Sequence, residues 1–286
     1  MITWYANALF HVLYLNKRVC ASLCVLLLVA CWGEGHVFAQ NEWLPVGARS
    51  VALGGCSLAL SDLWSASENV VALADASHVA AGVAVRSNYL LPNLSQMALS
   101  MVVPTGRDFG LGLSYLHAGL DAYSRGRAVL GAAHRLGQRW TVAASYYYDY
   151  EHFVDVVYET QRHHGVGVSM RFSPSHEWGA TIRWRLPLRN EAVSQSVLDA
   201  AVNYRLLPRL LLVAQADYAS RFGVALRTGV EYTGLSPLAL RVGYSSNPSQ
   251  LSFGLGYKAT HFVVDVAALY HTVLGVTPLV SLWYEF

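Results

Sequence analysis

The chain has 286 residues, of which 54% are hydrophobic and only 13% charged, against roughly 25% charged in an ordinary soluble domain. Its 20 basic and 18 acidic residues leave a net charge of +2, which excludes both an acidic solvating tail and the basic footprint of a nucleic-acid-binding protein. Lysine occurs only as Lys17 and Lys258, and the cysteines, Cys20, Cys24, Cys31 and Cys56, match no zinc or redox spacing.

The first element is a targeting segment. Lys17 and Arg18 precede an uncharged apolar run, Val19 to Trp32, then a polar patch, Gly33-Glu34-Gly35-His36, and Val37-Phe38-Ala39. This order predicts a secretory signal peptide over residues 1–39, cleaved after Ala39. The run is shorter than the roughly 18 apolar residues of a spanning helix, which disfavours a membrane anchor. Another alternative is the lipobox-like Leu28-Val29-Ala30-Cys31, in which Cys31 would be lipidated. Either route exports the chain, and cleavage after Ala39 leaves Cys56 as the only cysteine, with no internal disulfide.

Residues 40–76 come next and lack regular alternation. They hold Gly54-Gly55, Asp62, Glu68, Asn69 and Asp75 among small apolar residues. Such a stretch cannot lie open in lipid, where each unsatisfied amide costs several kcal/mol, so it is expected inside protein.

From about Val79 to the end the chain alternates. Phe109, Leu111, Leu113 and Tyr115 interleave with Gly110, Gly112 and Ser114; Val166, Val168, Met170 and Phe172 with Gly165, Gly167, Ser169 and Arg171; Trp178, Ala180, Ile182 and Trp184 with Gly179, Thr181, Arg183 and Arg185. The rhythm recurs in Val224–Thr233, Leu238–Ser246, Leu251–Lys258 and Phe262–His271, the period of strands with two unlike faces. Turn residues punctuate it at Pro92-Asn93, Thr105-Gly106-Arg107, Leu136-Gly137-Gln138, Ser173-Pro174-Ser175, Leu207-Pro208, Gly234 to Pro237 and Asn247-Pro248. The uncharged run Val266 to Tyr284 is long enough to imitate a spanning helix, but Gly275 and Pro278 divide it and both halves alternate, so it reads as a hairpin. The count is about 14 strands of about ten residues.

A water-soluble sandwich would hide its apolar face and expose charge. Here the large apolar face is paired with glycine, serine and isolated arginines, a combination suited to lipid outside and a lumen inside. Aromatic residues near strand ends, Trp140, Tyr146-Tyr147-Tyr148, Trp178 and Trp283-Tyr284, fit girdles at two membrane interfaces. The fold expected is an all-β antiparallel transmembrane barrel over residues 77–286, and export without an anchor points to the bacterial outer membrane, with its lipid as partner.

The tail Ser281-Leu282-Trp283-Tyr284-Glu285-Phe286 resembles the terminal signal by which outer-membrane barrels are recognised for assembly, with Tyr284 and Phe286 as its aromatic positions and the barrel-assembly machinery as the implied partner. Val46-Gly47-Ala48-Arg49-Ser50-Val51-Ala52-Leu53-Gly54-Gly55, followed by Leu58-Ala59-Leu60-Ser61-Asp62, resembles the opening of the FadL-like outer-membrane proteins, in particular the PorV/PorQ branch associated with type IX secretion. Ser65 to Ala74 stands where those families carry a "WNPAGLA"-type stretch of the N-terminal hatch; Asn69, Ala72 and Leu73 match it and Val70 replaces its proline. Arg241-Val242-Gly243-Tyr244, Pro248-Ser249-Gln250, Phe253 to Tyr257, Asp265-Val266-Ala267 and His271 to Thr277 follow in the order of these barrels. The resemblance covers roughly residues 44–75 and 238–286, and implies 14 strands with a hatch in or against the lumen.

No catalytic motif is present: there is no G-x-S-x-G elbow, H-E-x-x-H helix or P-loop. His163 and His164 are strand neighbours and face opposite ways, and His271 and Asp265 are about 20 Å apart along a strand. No enzyme activity, cofactor or metal is expected. Strand parity puts Arg86, Arg127, Arg171, Arg183, Arg185, Arg205, Arg227, Arg241 and Lys258 on the small-residue face, with Asp199, Asp217, Glu231 and Asp265. Cross-strand pairing satisfies such a lumen; the alternative role is attraction of an anionic headgroup. Segment 40–76 is expected to plug the lumen, with Asp62, Glu68 or Asp75 meeting Arg86, Arg227 and Arg241. Two functions stay open: a passive carrier or channel for hydrophobic or amphiphilic solutes, and a non-transporting secretion scaffold whose partners would be secretion-system subunits. Deleting Phe286 should lower the amount of folded barrel in the membrane without abolishing synthesis; unchanged heat-modifiable mobility and abundance would contradict the assembly role.

Overall fold

In the computed structural model, residues 45–91, 94–120, 123–153, 160–188, 196–219 and 223–286 are described. The expected signal peptide, its cleavage point, Cys31 and the turn at Pro92-Asn93 lie outside them. Fourteen antiparallel strands, each hydrogen-bonded to its neighbours in sequence, close into a barrel where the first meets the last. They run from β1 (Ala80–Ser87) and β2 (Ser95–Pro104) through β3 (Phe109–Leu120), β4 (Tyr123–Leu136), β5 (Trp140–Phe153) and β6 (Thr160–Phe172). The circuit continues with β7 (Trp178–Pro187), β8 (Val197–Leu207), β9 (Leu210–Ala219), β10 (Gly223–Leu235), β11 (Leu238–Ser246), β12 (Ser249–Lys258), β13 (Phe262–His271) and β14 (Gly275–Glu285). Closure pairs Ala80 with Glu285 and Arg86 with Leu279, so the sheet has no free side edge along that seam.

The uncharged run does split into a hairpin, β13 and β14, and Gly275, at φ +87°, closes the turn as the first residue of β14. Pro278 sits inside β14 opposite Ala268. The ladder between β1 and β14 ends at Leu279, so proline's missing amide falls just beyond it and removes no ladder bond there.

Alternation sets the two faces. Leu113, Phe253 and Leu255 are each more than half exposed on the outside, while their neighbours Ser114 and Ser252 are enclosed. At the end where the barrel begins and finishes, here called proximal, Trp140, Phe172 and Trp178 stack at 4.6 and 5.8 Å between ring centroids, and Tyr284 meets Phe286 edge-on at 5.0 Å. At the distal end Tyr146 and Tyr148 flank His164. Tyr147, grouped by sequence with this girdle, turns inward and is buried. Such a barrel, apolar outside with aromatic ends, suits a membrane, and no helix among the described residues is long and apolar enough to cross one.

Strand length is uneven: β1 has 8 residues, whereas β4 and β5 have 14 and β6 has 13. The surplus lies at the distal end, since β6 pairs with β7 only from Gly165 downward. Phe253, half-way along β12 opposite Val242 and Ala268, sits at mid-height. Phe253→Arg should lower the unfolding free energy by about 2–4 kcal/mol, read by urea titration in vesicles, while Phe253→Leu leaves it nearly unchanged; an equal effect of both would argue against lipid contact there.

Candidate functional site

The lumen is filled by the segment from Pro45 to Ala76. It opens with a short helix, α1 (Ala48–Ala52), closed by Gly54 at φ +72° and Gly55 at φ +84°. Gly55 N–H donates to Ser50 O (2.9 Å) and Gly54 N–H to Val51 O (3.2 Å), the double bond of a left-handed glycine helix end. Two 3-10 turns follow, Leu63–Ala66 and Val70–Asp75. Asp62 starts the first: its carboxylate accepts from Trp64 N while its own amide donates to Ser65 Oγ. Val70, the residue in place of the family's proline, is the first residue of the second turn and is buried.

Three apolar contacts fix the segment to the wall. Leu63, Trp64, Val70 and Leu73 pack on Ala84, Ala98, Leu116 and Ala133. Leu53, Cys56, Leu58 and Leu60 meet Ala201 and Val213; Val51 and Ala52 meet Ala267 and Leu279. The inner wall is therefore apolar where the plug rests, beyond the glycine, serine and isolated charges that parity suggested. Contact is closest at wall glycines. A Cβ on Gly243 would come within 2.0 Å of Gly54 N, and one on Gly110 within 2.0 Å of Leu73 O.

Wall side chains complete the plug's backbone, which has few partners of its own. Ser252 Oγ accepts from Gly54 N (2.9 Å) and donates to Ala52 O (3.1 Å). Gln215 Oε1 accepts from Leu58 N (2.9 Å), and Asn203 Nδ2 donates to Ala59 O (3.1 Å). Arg227 donates to Gly55 O (3.3 Å), Arg183 to Glu68 O and Arg86 to Pro45 O.

The charges fall into separate groups. On the proximal side Arg49 makes a two-pronged bond to Glu231 (2.8 and 2.7 Å), and Arg241 bridges Glu231 and Asp265 at 2.6 Å each. Toward the distal side Arg183 and Arg185 hold Asp199 (2.6 and 3.3 Å), Arg227 holds Asp217 (2.8 Å) and Arg127 holds Asp149 (2.6 Å). Asp75, at the plug's end, meets Arg135 (2.7 Å) and Arg171 (2.5 Å).

The plug acids thus meet arginines other than those expected. Asp62 faces Arg49 of its own segment at 3.5 Å, and Glu68 Oε1 accepts from the amides of Val46 (2.6 Å) and Gly47 (2.9 Å). Asp75 engages Arg135 and Arg171, while Arg227 and Arg241 pair with wall acids and Arg86 with a plug carbonyl. Arg205 and Lys258, although on inward parity, are exposed. Arg49 and Arg135 were missed as site residues; Arg49 stands in the quoted opening motif, and Arg135 keeps inward parity with Ala133. His271 Nδ1 accepts from the turn amides of Val273 and Leu274, far from Asp265. Among the described residues no group of three or more His, Cys, Asp or Glu is placed to hold a metal.

A chamber of about 510 Å³ lies between the plug and the proximal ends of β10–β14, lined by Arg49, Asp62, Glu231, Lys258, Asp265 and Trp283 among others. Burial raises the Asp62 carboxyl above its usual range. Burial would also raise Asp75, but hydrogen bonds and charge from Arg171 and Arg135 hold it below. Burial, reinforced by the charge of Asp62, pushes Glu68 from 4.5 up to about 7, the amides of Gly47 and Val46 offsetting only part.

Neither a protein-family model nor a curated protein matches the chain. Solved structures do. The Pseudomonas putida toluene transporter TodX superposes with a TM-score of 0.69 at 12% identity over 88% of this chain and 100% of its own. The CymD monoaromatic hydrocarbon channel gives 0.67 at 12% over 86% and 99%. A Pseudomonas aeruginosa FadL homologue gives 0.65 at 11% over 88% and 100%. At such identities the likeness carries the fold: a FadL-type barrel.

The raised Glu68 pKa means that the seated plug holds a proton that a released plug gives up. The contribution of Glu68 to seating is then fully present below about pH 4.5 and is lost as pH rises through 7. Hydrogen exchange of Val46–Ala52, corrected for chemical rate, should lose protection on the order of a hundredfold between about pH 5 and pH 8, and Glu68→Gln should flatten the profile. A flat profile in the unmutated chain would refute this.

Proposed function

We propose that the chain is an outer-membrane carrier or channel for hydrophobic or amphiphilic solutes, with Pro45–Ala76 as its gate and the proximal chamber on the periplasmic side. The observation that carries this reading is the plugged FadL-type barrel, together with the roles of its structural neighbours: a toluene transporter and a monoaromatic hydrocarbon channel. The short proximal turns, such as Pro208-Arg209 between β8 and β9, support a periplasmic placement of that end. No residue in this reading acts as a catalyst. The lumen arginines and acids hold the plug and the wall, and the solute path requires the plug to move or passes beside it.

A second reading, a PorV/PorQ-like scaffold of a type IX-type secretion system, is favoured by one observation: the plug is enclosed on three apolar wall patches and tied to the wall by ion pairs. Purification from the native membrane in mild detergent separates the two, since large secretion subunits in stoichiometric amount support the scaffold and a lone barrel with co-purified lipid supports transport. Deleting Val46–Ala74 is the direct test of the gate. Planar-bilayer conductance should rise well above that of the intact barrel; a truncated barrel that folds normally yet conducts no more than the intact one would dismiss the gate.

A further inference from the structure

Arg86 is the largest polar side chain that the barrel fully encloses, with 2% of its surface exposed. It projects inward from β1. Its Nη2 donates to Pro45 O at the start of the plug, while Nε and Nη1 are enclosed without a hydrogen-bond partner. Its neighbour across the β1–β2 ladder is Gln96, 4% exposed, and Gln96 Nε2 is likewise enclosed and unpartnered. Cross-strand neighbours on one face stand about 5 Å apart at Cβ. Two neighbouring inward positions thus carry enclosed donors without partners, and one of them carries a full positive charge.

The other lumen arginines described above meet carboxylates. Arg86 forms no ion pair among the described residues. The acid whose charge reaches it is Glu68, but the carboxylate of Glu68 is engaged by the amides of Val46 and Gly47, and burial leaves it only partly ionised near neutrality. Thr277, on the adjoining β14, uses its hydroxyl oxygen to accept from Tyr89 N. An enclosed guanidinium without a counter-charge costs several kcal/mol, a cost that a bound anion removes. Arg86 also lines a cavity of about 20 Å³ bordered by Pro45, Ser245, Gln250 and Ser252. A volume of that order takes one water-sized sphere or little more, which excludes a long amphiphile and admits a halide or a single carboxylate group.

We propose that Arg86 forms a buried site for one compact monovalent anion, a halide or a carboxylate group, in the small cavity that it lines beside the start of the plug. The anion accepts from Arg86 Nε or Nη1, and through Arg86 it stiffens the grip on Pro45 O. It belongs to the framework of the plug and is independent of what crosses the barrel.

The test uses the full chain in detergent at constant ionic strength, with the bulky anion isethionate replaced stepwise by chloride, bromide or acetate. The melting temperature should rise along a saturation curve, by roughly 2–4 °C at about five times the dissociation constant. A rise with chloride and bromide identifies a halide, and a rise with acetate alone identifies a carboxylate. Arg86→Gln should abolish the dependence; should that variant not fold, crystals of the unmutated chain in bromide should show an anomalous peak within hydrogen-bonding reach of Arg86. Identical melting in all salts, an unchanged response in a folded variant, or bromide found only elsewhere would each overturn the site.

Discussion

The interior of this barrel depends on wall positions that carry no side chain. A plug with little regular secondary structure must lie close to the sheet to find hydrogen-bond partners, and it can do so only where the wall is flat. Gly243 lets the backbone at Gly54 lie against β11, and Gly110 lets Leu73 O approach β3. Once the backbone is that near, Ser252, Gln215 and Asn203 come within reach of its amides and carbonyls. A methyl group at either glycine would push the segment away and leave enclosed polar groups unpaired, at about 1–3 kcal/mol each. Lipid on the outside makes no such demand, which is why large and small residues alternate so strictly along each strand.

Electrostatics follow from that packing. With the plug in place, most lumen arginines are largely cut off from water, so their carboxylates act as structural partners and, Arg86 apart, leave little free field to attract a solute. Arg49 shows the coupling most clearly: it belongs to the plug, yet its two-pronged bond is to Glu231 of β10, which also holds Arg241. Removing Arg241 would leave the enclosed Asp265 without its ion partner. Plug and wall are thus one electrostatic unit on the proximal side, and Asp75 adds a second tie across to β4 and β6.

Much of this was legible in the sequence, for a definable reason. Strands with two unlike faces declare both their period and their parity, so Leu238–Ser246 and Phe262–His271 have the observed bounds of β11 and β13. Inward parity likewise placed Arg183, Arg227 and Asp265 in the lumen. Pairing was not legible. Which acid meets which arginine depends on the stagger between strands and on the height at which the plug rests, and neither leaves a periodic trace. Asp75 therefore reached Arg135 and Arg171, where Arg86, Arg227 and Arg241 had been expected. The apolar inner patches were hidden for a similar reason: Ala84, Ala98 and Ala133 read as small spacers until Leu73 and Val70 are laid on them. Tyr147 shows the limit of composition, since its place in a run of three tyrosines suggested a girdle while its parity turned it beneath Arg127.

The uneven strand heights have a consequence for life among many copies in one membrane. Where β6 rises beyond its last partner on β7, the backbone from Thr160 to His163 is paired with β5 but has no strand on its other side among the described residues. An open run of amides and carbonyls is a template for adding a strand from another molecule. Here the run reads Thr160-Gln161-Arg162-His163, without a β-branched apolar residue or an aromatic one. Two such margins brought together would set Arg162 against its own counterpart. The tallest part of the wall thus carries its own deterrent to sticking, and neighbouring barrels can crowd without fusing along that rim.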